Sequence, residues 1–161
     1  MTRPLLFLVL ALTVLAGCGG GGDDASTEDF VAGANKICRE GAAKIQEVTR
    51  EQQQAAGNPD TLEAQRKAVA DALERTAEAY APYMDRLREL DPPADLDENW
   101  NSFLDGVERA FDLIPDLADA TRNGDQKRLT ELSEEFTQIA RETRPFAEDN
   151  RLDDCLPDQT G

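Results

Sequence analysis

The chain has 161 residues, enough for one domain, with 33 acidic against 17 basic side chains and a formal net charge of −16 at neutral pH. That balance excludes nucleic acid, whose affinity for proteins comes mostly from Lys and Arg meeting phosphate, and rules out a basic patch as a hold on anionic lipid. Histidine is absent, which removes the usual general base, the Ser–His and Cys–His nucleophile pairs and the commonest metal and haem ligand. A non-enzymatic protein without metal or cofactor is therefore expected.

Thr2-Arg3 is a short basic start, and Pro4 to Leu15 is a mainly apolar run too short to span a bilayer. Leu15-Ala16-Gly17-Cys18 follows and resembles the lipobox of bacterial lipoproteins at every position. The resemblance implies lipidation of the Cys18 sulfur and cleavage after Gly17. Two acyl chains, palmitate-like, anchor a protein stably where one is marginal. Residues 1–17 are thus expected to be a signal peptide, residues 18–26 a Gly/Asp-rich tether, and residues 27–161 the folded domain. The expected location is the outer face of the cell membrane, lipid-anchored.

From Ser26 onward the apolar residues follow a helical period. The first segment spans about 27–56, capped by Ser26 or Thr27, with Phe30, Ala34, Ile37, Cys38, Gly41, Ile45 and Val48 as its stripe. Gly57-Asn58-Pro59 ends it. The second spans about 60–90, with Asp60 and Glu63 as a capping box and Leu62, Val69, Leu73, Thr76, Tyr80, Tyr83, Leu87 and Leu90 facing inward. Asp91-Pro92-Pro93 stops it. The third spans about 95–122 and buries Leu96, Trp100, Phe103, Val107, Phe111, Ile114 and Ala118, before an Asn123-Gly124 turn. The fourth spans about 125–149, capped by Asp125, with Leu129, Leu132, Phe136, Ile139, Thr143 and Phe146 as its stripe. No β pattern is present.

These segments predict an all-α fold, an up-down-up-down four-helix bundle with short connections. Pro82, Pro115 and Pro145 fall inside the helical pattern, each marking a kink or a restart at a cost of roughly 3 kcal/mol. Antiparallel packing places Phe30, Tyr80, Tyr83, Trp100, Phe103 and Phe146 in the membrane-proximal half, and Phe111 and Phe136 in the other. Tyr80, Tyr83, Trp100 and Phe103 are the candidate lining of an apolar ligand pocket, against the plainer reading that they are core.

With Cys18 carrying lipid, Cys38 and Cys155 remain in an oxidising compartment. Both fall on the same side of the bundle, so a disulfide is the favoured expectation. Closing so long a loop is worth about 5 kcal/mol in the chain-entropy model. The alternative is two free thiols, one of them catalytic, without a histidine to activate it. The order of lipobox, tether, Phe30-Val31-Ala32-Gly33-Ala34-Asn35-Lys36-Ile37-Cys38, Leu90-Asp91-Pro92-Pro93, Trp100 and Leu152-Asp153-Asp154-Cys155 resembles a family of small uncharacterised actinobacterial lipoproteins. Their ending often carries Gly where this chain has Arg151. The resemblance implies location and the cysteine pair, and no activity.

The acids Asp91, Asp95, Asp97 and Glu98 lack the glycine and spacing of a calcium loop and suit a helix N-terminus. Glu148, Asp149, Asp153 and Asp154 read as a solvated tail. The first expectation is a monomeric, membrane-anchored binding or interaction domain whose partner is an envelope protein. The second is a carrier or sensor of a small apolar ligand held in the aromatic pocket.

Overall fold

The computed structural model describes residues 22–57 and 60–156. Residues 1–17, Cys18 and the first part of the tether lie outside them. The described residues form five α-helices and one closing 3-10 turn: α1 (Gly22–Ala56), α2 (Leu62–Arg88), α3 (Asp97–Asp112), α4 (Ile114–Asn123), α5 (Gln126–Asp149), then Asp153–Cys155. The all-helical bundle is thus the fold. The expected third segment is divided at Leu113 into α3 and α4, because Pro115 lacks the N–H that would bond the Phe111 carbonyl and is tolerated only in a first turn. Pro82 and Pro145 instead stay inside α2 and α5. Both are exposed, as are Glu78 and Arg141 four residues earlier, so water can take up the freed carbonyls.

Two boundaries differ from expectation. Helix α1 begins at Gly22, ahead of the expected start near residue 27. Once a helix is nucleated, each added residue gains a backbone hydrogen bond, which carries it toward the N-terminus. Helix α2 is capped by Thr61, whose Oγ1 accepts from the Ala64 amide at 3.1 Å, in place of Asp60. Asp125 caps α5 as expected, accepting from the Arg128 amide at 3.0 Å. Asp97 and Glu98 sit in the first turn of α3.

Helix α2 packs against α1, α3 and α4, and α5 against α3 and α4. Among the described residues there is no close backbone approach between α1 and α5. At one end the gap is filled by aromatic side chains. Trp100 is 1% exposed, with Phe30 edge-on at 5.0 Å and Phe103 stacked at 5.6 Å, while Phe103 meets Phe146 at 5.5 Å. Each such ring contributes about 1.5–3 kcal/mol by burial. The indole N–H of Trp100 is buried without a hydrogen-bond partner among the described residues.

The chain closes on this end. The N–H of Leu152 bonds the Ala147 carbonyl at 2.8 Å and that of Arg151 bonds Glu148 at 3.3 Å, the paired bonds of a helix-ending left-handed turn. Leu152 is fully buried. Cys38 and Cys155 form the expected disulfide, S–S 2.05 Å, across 117 positions. Asn35 adds a clamp, donating to the Arg151 carbonyl at 2.7 Å and accepting from the Asp154 amide at 3.0 Å, beside an Arg39–Asp154 ion pair at 2.6 Å. The tail is thereby wedged between α1 and α5.

Candidate functional site

Below that wedge the seam stays open. A groove of about 260 Å³ runs between α1, α3 and α5, floored by Tyr80 of α2. Cys38, Ala42 and Ile45 form the α1 wall, Phe103, Val107 and Phe111 the α3 wall, and Phe136, Ile139 and Thr143 the α5 wall, with Leu156 closing one end. Tyr80 stacks on Phe111 at 4.5 Å and 4°. The groove exists because small residues stand where the walls face each other. Ala42, Ala110 and Ala140 all line it, and larger side chains there would fill the gap. Its charged residues, Arg144 and Asp154, belong to the end where the tail sits.

The lining differs from the expected set. Tyr80 and Phe103 line the groove; Tyr83 and Trp100 do not. Trp100 is consumed by the aromatic packing that makes the end of the bundle solid. Tyr83 lies against Gly41, beneath the guanidinium of Arg86 at 5.5 Å. The groove therefore lies one level inward of the expected site and recruits Phe111 and Phe136 from the other half. Phe136, expected in the core, is 44% exposed at the groove's edge. The signal in the chain was the set of alanines on apolar faces at matching depth.

Burial holds the Tyr80 phenol above its ordinary pKa, so it stays neutral through the physiological range. Asp154 is paired with Arg39, and Arg144 stands 3.6 Å from Glu148. The described groove thus offers apolar surface and a charged rim. Among the described residues no three carboxylates or thiols gather as a metal site, and Asp91, Asp95, Asp97 and Glu98 do not converge on a common point. No helix among the described residues is long and apolar enough to cross a membrane.

Comparison with family models, with curated proteins and with solved structures gives no match. Function is accordingly argued from the groove itself.

A second cavity of about 280 Å³ lies farther along α5, lined by Leu113, Ile114, Leu117, Leu132, Ser133, Phe136 and Thr137. Phe136 is the wall common to both.

Proposed function

We propose that this protein is a lipid-anchored, extracytoplasmic binding protein without a catalytic step, whose helical domain holds a small apolar molecule in the groove between α1, α3 and α5. The observation that carries the reading is the lining of that groove, apolar apart from a charged rim. A few polar groups at the edge of a mostly apolar cleft are the usual make-up of a small-molecule site. The leader supports the location: Arg3, the apolar run to Leu15 and Leu15-Ala16-Gly17-Cys18 fit export and lipidation of Cys18. The Cys38–Cys155 bridge fits an oxidising compartment. Kinship with small actinobacterial lipoproteins belongs to the same proposal.

The test has two parts. Cys18→Ser should move the protein from the detergent phase to the aqueous phase on partition, and continued detergent partition contradicts the anchor. The oxidised domain should bind a compact apolar fluorophore such as anilinonaphthalene, with Ala140→Trp, which fills the groove, weakening it at least about tenfold, the effect of losing 1.4 kcal/mol. Binding that is absent, or indifferent to residue 140, contradicts the groove as a site.

A further inference from the structure

Taken alone, each cavity beside Phe136 is small. Their volumes, about 260 and about 280 Å³, fall short of the roughly 300 Å³ at which ordinary ligand pockets begin, and joined they pass it. The one residue common to both linings is Phe136, whose side chain is 44% exposed. An exposed side chain changes rotamer in picoseconds to nanoseconds, so a passage beside it opens without unfolding anything.

The joined channel has a length and a polarity. It is lined by α5 from Leu132 to Arg144, about 18 Å at 1.5 Å per residue. One leaflet of a bilayer's hydrocarbon core, the reach of a single lipid chain, is about 15 Å, half of ~30 Å. At one end stand the charged Arg144 and Asp154. At the other, Leu113, Ile114, Leu117 and Leu132 offer apolar surface relieved by the hydroxyls of Ser133 and Thr137. Narrow, apolar and charged at one mouth, the channel has the polarity of an amphiphile with one tail.

Resting on the groove as a binding site, we infer that the ligand is a single unbranched acyl chain, its polar head at the Arg144–Asp154 rim and its tail passing Phe136 into the second cavity. A compact ligand would need the first cavity alone. A third cavity of about 260 Å³ shares Phe103 and Thr143 with the groove, but Asn99, Ser102, Arg109 and Glu142 also line it, so it does not suit a second apolar tail.

The experiment is a calorimetric titration of the oxidised domain with unbranched fatty acids from hexanoic to palmitic, below micelle-forming concentrations, with anilinonaphthalene as the compact control. Affinity should rise about fourfold per added methylene, the equivalent of about 0.8 kcal/mol, and level off when the channel is full. Ser133→Phe, a change at an exposed position that fills the second cavity, should bring the plateau to shorter chains and weaken palmitate at least tenfold. Phe136→Ala should strengthen the long acids. A lysophospholipid with the same tail separates the sources: the tighter binder of the two identifies a free acid or a membrane lipid. Affinity flat in chain length, with the fluorophore still bound, overturns the acyl chain and leaves the groove as a site. A rising series that both variants leave untouched overturns the passage past Phe136. Binding of neither acid nor fluorophore overturns both readings.

Discussion

Arg151 holds a φ of +56°, the left-handed region that L side chains enter at a cost of roughly 1–2 kcal/mol. It does so because the turn it makes returns Leu152 to the core and Cys155 to Cys38. Gly124, at the same position of the turn after α4, meets this demand freely with φ +67°. Arg151→Gly should therefore raise stability by about 0.5–1 kcal/mol in chemical denaturation, less than the full strain because glycine is also freer in the unfolded chain. A loss of stability would mean that the arginine side chain contributes more than its backbone costs. A second residue-scale effect concerns charge. The hydrogen bond from Arg86 to Glu40, 2.7 Å across α1 and α2, holds the Glu40 carboxyl below its ordinary pKa, reinforced by the positive charges of Arg86, Lys36 and Arg39 against desolvation. A lowered folded pKa gives stability that is present above the unfolded glutamate range and lost as pH falls through the folded value. In Arg86→Gln the Glu40 midpoint, followed by NMR, should move up toward the ordinary value, and an unmoved midpoint would assign the shift to other charges.

At the scale of elements, the approach of α3 to α5 depends on Gly106. A Cβ there would collide with the Thr143 methyl group, whose hydroxyl is held to the Ile139 carbonyl at 3.0 Å. Propensity alone favours Gly106→Ala by about 1 kcal/mol. Overpacking costs about 1–3 kcal/mol. The net expectation is a loss of about 1 kcal/mol, recovered by adding Thr143→Ser, which removes the methyl group. A plain gain from Gly106→Ala would show that the helices are free to separate. The helices themselves were legible, since caps such as Asp125 and stops such as Pro92-Pro93 act within a few residues. Periodicity failed where a face has no apolar counterpart. Leu62 and Val69 fit the stripe of α2 yet are 61% and 52% exposed, toward the end of the pair where α1 is polar from Arg50 to Gln54 and Gln52 donates to the Asp71 carbonyl. It also said nothing of Asn35, a polar residue inside an apolar stripe, which clamps the distant tail.

For the whole molecule the deciding feature is the gap between α1 and α5, bridged at one end by the disulfide-bound tail and open below it as the groove. Periodicity reports which face of a helix is apolar; it cannot report whether two such faces meet. Half of the expected lining, Tyr80 and Phe103, was therefore found, while Trp100 and Tyr83 went into packing and Phe111 and Phe136 were missed. The account stands on that gap being filled by an apolar molecule in the protein's natural surroundings. Native mass spectrometry of the protein, extracted gently from the cells that make it with the Cys38–Cys155 bridge intact, tests this directly. The account predicts a non-covalent adduct of one small apolar molecule that leaves when the chain is unfolded and is absent from Ala140→Trp. A bare protein mass in both, from gently extracted material, would contradict it.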